Sequence, residues 1–374
     1  MKIIIDNKIP FINGVLEPFA ELEYYPGKDI NAEKVKDADA LIVRTRTKCN
    51  KKLLEESSVK LIATATIGFD HIDTAYCNTK GIKWENAPGC NSGSVMQYIA
   101  SSLVFLSIKH NFNLKDKTLG IIGVGNVGSK VAAIAAELGM RVLLNDPPRE
   151  RNEGSKEFVP LKQIQEQADI ITFHVPLNFD GEDKTYHIFD EKFISKIKHD
   201  AIIINSSRGE VVSGEILKKA LLDKKIKGAI LDVWENEPGI DLELMSLVDI
   251  ATPHIAGYSA DGKASGTSMS VQALSKFFGL GLDNWLPGNI PEPTGKNISM
   301  DGLGLSKEEI VKKILYSTYN IKNDDLTLRK SPETFEDQRG NYPLRREYEA
   351  YSLSLENVLE DIVERLIKLG FEIG

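Results

Sequence analysis

Three residues in the second half of the chain have the types needed to take a proton from, and direct a hydride off, a secondary alcohol beside a carboxylate. Arg208 lies in Asn205-Ser206-Ser207-Arg208-Gly209, Glu237 in Asp232-Val233-Trp234-Glu235-Asn236-Glu237-Pro238, and His254 in Thr252-Pro253-His254-Ile255-Ala256-Gly257. Imidazole is the side chain that ordinarily titrates near neutrality, so His254 is the candidate base for the hydroxyl proton and the acid in the reverse direction. Glu237 is expected to orient that ring and favour its charged form. The planar fork of Arg208 suits a carboxylate and can polarise the adjacent C2 oxygen. Taken singly, each has a plainer reading: a surface arginine, a solvated turn glutamate before proline, a packed histidine. Their joint appearance is what points to a site.

Each of the three segments follows a short apolar run, at residues 201–206, 229–233 and 249–252. Similar runs at 119–123, 141–146 and 170–174 come before them. Strand-like runs alternating with helix-like stretches are the rhythm of a parallel sheet covered by helices. In such a sheet the carboxyl ends of the strands line the ligand crevice, which puts the three segments where chemistry belongs.

The first run leads straight into Gly123-Val124-Gly125-Asn126-Val127-Gly128 and then an alanine-rich helix. A strand, this glycine spacing and a helix together form a dinucleotide fingerprint, whereas the glycines alone are a weak signal. Gly123 permits the tight turn, Gly125 the approach of a pyrophosphate, and Gly128 the close packing of helix on strand. Asn126 and Val127 open the helix, whose N-terminal amides suit phosphate. Asp146 ends the second run at about the offset at which an acid accepts from the ribose hydroxyls, and its charge favours NAD over NADP. Arg149 stands close enough to compensate a 2′-phosphate, although Pro147-Pro148 is expected to direct it elsewhere. His174 ends a strand but has no acid at a suggestive position after it.

An earlier series of runs at residues 2–6, 40–44 and 61–66 implies a second sheet of the same kind. The expected class is therefore α/β, with two doubly wound parallel-sheet domains, one a Rossmann NAD domain and one a flavodoxin-like substrate domain. Long helices expected at residues 92–110 and 259–281 carry the chain from one domain to the other and back. The substrate domain is then discontinuous, comprising residues 1–93 and 258–283, and the NAD domain comprises residues 94–257. Hinges are expected near Pro88–Ser94 and Gly257, with closure sealing water from the hydride path. After Pro287, Pro291 and Pro293 the regularity ends, so residues 284–374 are expected to form a small α+β domain whose marginal core invites pairing with a second copy.

Composition sets the outer limits. The 374 residues are 42% hydrophobic and 27% charged, as in a folded globular protein. A net charge of -8 argues against a nucleic-acid surface, and it means that an anionic substrate must meet locally placed arginines. Cys49, Cys77 and Cys90 are scattered, without metal-ligand spacing or a disulfide pattern, so no metal is expected and a reducing compartment fits best. The opening run from Met1 is broken by polar groups before reaching signal-peptide length, and no stretch is apolar enough to span a bilayer. A cytoplasmic location, away from membranes, is the expectation.

With these residues in place, the chain resembles the D-isomer-specific 2-hydroxyacid dehydrogenase family. The glycine motif, the Asn205–Gly209 run, the Asp232–Pro238 run and Pro253-His254-Ile255-Ala256-Gly257 are similar to its hallmark segments and stand in the same order. The resemblance implies NAD as cofactor and Arg208, Glu237 and His254 as catalytic residues. A narrower similarity rests on Val43-Arg44-Thr45, Thr64-Ala65-Thr66, Ala87-Pro88-Gly89-Cys90-Asn91, Asp146-Pro147-Pro148, Thr172-Phe173-His174, Asp261-Gly262-Lys263-Ala264 and Asn341-Tyr342-Pro343-Leu344-Arg345-Arg346-Glu347. These resemble the members that oxidise 4-phospho-D-erythronate to (R)-3-hydroxy-2-oxo-4-phosphooxybutanoate on the route to pyridoxal 5′-phosphate. That group has a C-terminal dimerisation domain, which implies a homodimer. By the same resemblance Thr45, Thr66 and Tyr258 touch substrate, while Asp146, Val175, Asp232 and Gly257 touch NAD. Thr45 stands where the group carries serine, and a hydroxyl is kept.

Arg44 and Arg46 flank Thr45 at a strand end, where they form a candidate phosphate clamp, with Arg346 reaching from a partner subunit. A solvated basic edge with Lys48 is the plainer reading. Two alternatives stay open: a 2-hydroxyacid dehydrogenase of other specificity, such as one for 3-phosphoglycerate, and an NAD-sensing regulatory protein that keeps the fold.

Overall fold

The computed structural model describes residues 1–374 and divides into two compact units, Met1–Asn91 with Ser259–Glu292, and Ser92–Tyr258 with Pro293–Gly374. In the first unit, strands β1 (Lys2–Asp6), β2 (Glu21–Tyr25), β3 (Ala40–Val43), β4 (Leu61–Thr64) and β5 (Lys83–Glu85) form one parallel sheet in the order β2-β1-β3-β4-β5. This is the flavodoxin-like order, with its switch point between β1 and β3. The central strands β3 and β4 are buried along their whole length, whereas both edge strands are partly exposed. One sheet face is covered by the helix Ala260–Phe278, whose Val271 and Leu274 join Ile3, Ile5, Ile42 and Ala63 in a core. Ser259 caps that helix by accepting from the Gly262 amide, and Gly279 ends it in the left-handed conformation.

The second unit carries β6 (Thr118–Ile122), β7 (Arg141–Asn145), β8 (Ile170–Phe173), β9 (Ile202–Asn205), β10 (Gly228–Leu231) and β11 (Ile250–Ala251). All pair in parallel, in the order β11-β10-β9-β8-β6-β7. A single parallel bridge from Leu144 to Phe158 extends the sheet beyond β7, so that strand positions run as in a dinucleotide-binding sheet whose third strand has shrunk to one residue pair. β6, β8, β9 and β10 are buried on both faces and read as continuous apolar runs, as parallel strands under two helical layers must.

In the same unit the helix Ser92–Lys109 is buried on nearly every side, and its serines, Gly93 and Ala100 allow close approach of neighbours. Tyr98, Ile99 and Leu103 share a core with Ile310, Val311, Ile314 and Leu315 of the helix Lys307–Thr318. That helix starts at a reciprocal capping box between Ser306 and Glu309. Strands β12 (Asn297–Asp301), β13 (Ser352–Glu356) and β14 (Glu372–Ile373) form a third, wholly parallel sheet in chain order. No helix is long and apolar enough to cross a membrane.

Candidate active site

The three chemistry-bearing segments leave adjacent strands at one edge of the six-stranded sheet. Asn205 at the end of β9 is in register with Leu231 of β10, and Leu231 with Ala251 of β11. Past β9, the Asn205 side chain folds the turn: its Nδ2 donates to the Arg208 carbonyl (2.8 Å), and its Oδ1 accepts from the Ser207 amide and hydroxyl. Arg208 is half-buried, in extended backbone, with its guanidinium donating to the Ser207 carbonyl at 2.8 Å. Gly209 lets this turn lie directly on the Trp234–Glu235 backbone, where any Cβ would collide with the Trp234 carbonyl. The Arg208 turn therefore abuts the loop that carries Glu237.

Glu237 and His254 are joined. Glu237 Oε2 stands 2.7 Å from His254 Nδ1, and Oε1 accepts from the Trp234 amide at 2.9 Å. A carboxylate only accepts, so Nδ1 carries the ring proton and the Nε2 lone pair is left to receive another. Burial works against ionisation of Glu237. The His254 hydrogen bond and charge, the Trp234 amide and the charge of Arg339 outweigh it and hold the carboxyl below its usual range. The pair keeps some contact with solvent, with 27% and 19% of the His254 and Glu237 side chains exposed, enough for a substrate to reach the ring.

His254 sits at φ 57°, which an L-residue adopts only when its surroundings impose it. Asp232 supplies much of that constraint. Its carbonyl accepts from the His254 amide (2.7 Å), and its buried carboxylate accepts from the Ile255 amide (2.7 Å), the Ala256 amide (2.9 Å) and the Thr252 hydroxyl (2.7 Å). Thr252 in turn bonds the buried Tyr98 hydroxyl at 2.8 Å, and its carbonyl accepts from the Trp234 indole at 3.0 Å. Asp232, expected from the sequence to touch the cofactor, also accepts from three donors of the His254 segment through its carboxylate. Thr252, Trp234, Tyr98 and Asn205 were not singled out. Their signal was a polar or amphipathic group at an otherwise apolar, buried position.

The glycine turn fits a dinucleotide. Gly123 has φ 89°, and a Cβ there would meet the His174 carbonyl oxygen at 2.5 Å. At Gly128 a Cβ would strike the Gly123 carbonyl, whereas at Gly125 it would meet nothing within 4 Å. Gly125 thus opens onto space that a phosphate can fill. It precedes the helix Asn126–Glu137, and no side chain caps the amides of the first turn, which includes Asn126, Val127 and Gly128. Asp146 lies at the end of β7 with Oδ2 on the Val124 amide (2.8 Å) and Oδ1 on the Arg149 amide (3.1 Å). Each oxygen keeps acceptor capacity for a ribose hydroxyl. Arg149 is tied to Glu153 at 2.6 and 2.8 Å and to the Val124 carbonyl, so its charge is already engaged. Val175 packs against the Gly123 turn, and Gly257 is half-buried after the held Ala256 peptide.

The remaining expected contacts belong to both units. In the first unit, Arg44, Thr45 and Arg46 follow β3; Thr45 and Arg46 are exposed, and Arg44 donates to the Lys8 carbonyl at 3.3 Å. Thr66 follows β4, with its hydroxyl 2.8 Å from that of Thr64 and donating to the Gly68 carbonyl. In the second unit, Tyr258 meets Tyr342 edge to face, and the Arg346 carbonyl accepts from Gln97 at 2.9 Å.

Comparison with known proteins gives the family. Residues 106–256 match the family described as D-isomer specific 2-hydroxyacid dehydrogenase, NAD binding domain, and residues 290–370 match a domain of unknown function. A protein of Bacteroides fragilis named erythronate-4-phosphate dehydrogenase is 53% identical over 94% of this chain and 99% of its own length. One of the same name from Photorhabdus laumondii is 39% identical over 99% of both chains. Among solved structures, the D-lactate dehydrogenase of Aquifex aeolicus complexed with NAD and lactic acid is similar, at TM-score 0.64 and 27% identity, over 76% of this chain and 97% of that one. Fold and site define an NAD-dependent dehydrogenase acting on a 2-hydroxy acid. The chain belongs to the D-isomer specific 2-hydroxyacid dehydrogenase family, within its erythronate-4-phosphate dehydrogenase group.

Proposed function

We propose that this chain oxidises C2 of 4-phospho-D-erythronate to give (R)-3-hydroxy-2-oxo-4-phosphooxybutanoate, supplying the route to pyridoxal 5′-phosphate. NAD, when bound, accepts the hydride from C2. His254 takes the hydroxyl proton on Nε2 as the C2–O bond becomes a carbonyl, with Nδ1–H anchored on Glu237. The charge that appears on the imidazole is balanced by the Glu237 carboxylate, which the low-lying titration of that group keeps ionised. Arg208 pairs with the substrate C1 carboxylate and draws electron density from the C2 oxygen. Gly123, Gly125, Asn126, Val127, Gly128, Asp146, Val175, Asp232 and Gly257 serve the dinucleotide. Thr45, Thr66 and Tyr258 serve the substrate, with Arg44, Arg46 and Arg346 on its phosphate.

The observation that carries this reading is the 2.7 Å Glu237–His254 pair, set beside the Arg208 turn at the strand ends of a dinucleotide-binding sheet. The test is NADH formation from NAD with 4-phospho-D-erythronate, followed by identification of the product. Turnover of 3-phosphoglycerate or unphosphorylated D-2-hydroxy acids in its place would replace the substrate assignment, and turnover of no hydroxy acid would favour an NAD-sensing role.

Two further parts belong to the same proposal. Residues 284–374 pair two copies: Leu303, Leu359 and Ile367 are 76%, 59% and 53% exposed there, apolar side chains that a second copy would cover. Sedimentation as a monomer at micromolar concentration would remove this part. Three cysteines that form no disulfide fit a reducing, cytoplasmic setting.

A further inference from the structure

We propose that Arg345 is a positioning residue for His254, gripping from the C-terminal segment the two peptide groups that follow the imidazole; the role rests on the reading of His254 as proton acceptor. Arg345 Nη2 donates to the Ile255 carbonyl at 3.3 Å and to the Ala256 carbonyl at 2.5 Å. The amides of the same two residues are the ones that Asp232 holds. An acid therefore fixes the donors of this segment, and a base 90 residues away in sequence fixes its acceptors. Held on both sides, the turn keeps His254 at its left-handed φ of 57° and its ring on Glu237.

Packing alone does not account for an arginine here. The side chain is 5% exposed, and its Nε and Nη1 have no hydrogen-bond partner. Burying a guanidinium with two idle donors is unfavourable, and an apolar side chain of similar volume would fill the space at lower cost. What the apolar side chain lacks is a donor fixed on two carbonyls. The guanidinium is kept in place by aromatic faces, 4.5 Å from the Tyr319 ring centre and 5.7 Å from that of Tyr342. Both phenols donate to Asp324 Oδ2 at 2.7 Å, which puts a carboxylate behind the rings.

The segment that presents Arg345 is itself anchored. The Arg346 carbonyl accepts from Gln97 at 2.9 Å, and Glu347 Oε1 accepts from the Ser94 hydroxyl at 2.8 Å, both in the helix Ser92–Lys109. A Cβ on Gly93 would collide with the Glu347 carboxylate, so the first turn of that helix is shaped to receive it. The region matching a domain of unknown function thus has a task inside its own chain: it completes the support of the catalytic turn.

The test compares full-length wild type with Arg345→Met and Arg345→Lys. With 4-phospho-D-erythronate, the methionine variant should lose about 10- to 100-fold in kcat. Its KM and its affinity for NADH should change by less than about threefold. The primary deuterium isotope effect on kcat, read with substrate deuterated at C2, should rise as chemistry becomes limiting. Lysine, which restores a donor and a charge, should recover a large part of kcat. A loss of kcat that follows the folded fraction in thermal unfolding, with an unchanged isotope effect, would overturn the proposal, and so would an unchanged kcat. If wild type prefers another hydroxy acid, the same comparison is made with that acid. If it turns over none, the downfield proton resonance of the His254–Glu237 bond, assigned by its loss in His254→Gln, decides. Its disappearance in Arg345→Met supports the positioning role, and its persistence ends it.

Discussion

Two strand-end turns carry the residues assigned to chemistry and to substrate capture, and they are built in opposite ways. After β11, the His254 turn is held at nearly every polar atom: its amides by Asp232, its ring by Glu237, and its carbonyls by Arg345. After β3, the Arg44-Thr45-Arg46 turn is largely exposed, and Arg44 has a single long bond to the Lys8 carbonyl. Proton transfer depends on distances of a few tenths of an ångström, and a turn whose geometry is fixed before substrate arrives supplies them without reorganisation. Capture of a dianionic phosphate depends mainly on local charge in an acidic protein, and long side chains can adapt to it. The contrast teaches that the denser hydrogen bonding lies at the turn proposed for proton transfer, and the sparser at the turn proposed for phosphate.

Breaking the held turn should have the largest effect. His254→Gln removes the proton acceptor and should lower kcat by about a thousandfold, with NADH affinity preserved. Glu237→Gln keeps the shape of the side chain but loses the charge that balances the imidazolium, and should lower kcat by about a hundredfold. Steady-state assays over substrate concentration separate kcat from KM in both cases. A loss below about threefold for Glu237→Gln would mean that the 2.7 Å contact is not part of the chemistry.

Asp232→Asn probes the support and not the reacting groups. One carboxylate oxygen becomes an amide NH2 that faces a backbone N–H, because Oδ1 accepts from Ile255 and Oδ2 from Ala256. A buried donor without an acceptor costs on the order of 1–3 kcal/mol, so urea unfolding should show a loss of about that size. The variant should also lose kcat. Full stability and full kcat together would show that the turn holds its shape without Asp232.

The exposed turn should respond differently. Arg44→Ala and Arg46→Ala should each raise KM for the phosphorylated substrate by about tenfold, leaving kcat within about threefold, because a charge contact made equally in ground and transition states is uniform binding. Equal KM for wild type and both variants would return these arginines to a solvated basic edge. A fall in kcat at constant KM would erase the contrast between the two turns.

Much of this was legible in the sequence wherever a local pattern carries the information. The buried runs of β6, β8, β9 and β10 and the glycine turn at Gly123 declare a parallel dinucleotide sheet, because central strands under two helical layers must be apolar throughout. The edge strand β2, Glu-Leu-Glu-Tyr-Tyr, was missed because it is only half-buried and lacks the β-branched run. The residues proposed for catalysis were legible as candidates through their positions after successive strands. Arg345 was not: it sits in an irregular stretch, and its partners are 89 and 90 residues away, so no periodicity connects them. Asp232 was read from family likeness as a cofactor contact, and only the folded chain reveals the three donors on its carboxylate.

The smallest expected response comes from the histidines that lie outside the His254 turn, and it sharpens the assignment of the acid–base group. Burial lowers His174 to about 3, and burial, partly offset by the charge of Asp70, lowers His71 to about 4. Each ring bonds a threonine hydroxyl, Thr172 at 3.0 Å and Thr64 at 3.1 Å, and neither has the carboxylate partner that His254 has. Both should therefore be neutral from about pH 8 to about pH 5, where an unfolded chain protonates near pH 6.5. Their folded-state values are depressed, so the stability they contribute is present in full above about pH 6.5 and erodes as pH falls below it, because the unfolded chain binds protons that the native rings refuse. Imidazole carbon shifts followed by NMR should be flat for His71 and His174 over that range. Titration of either ring near neutrality would put a second candidate acid–base group in the molecule and weaken the case that His254 acts alone.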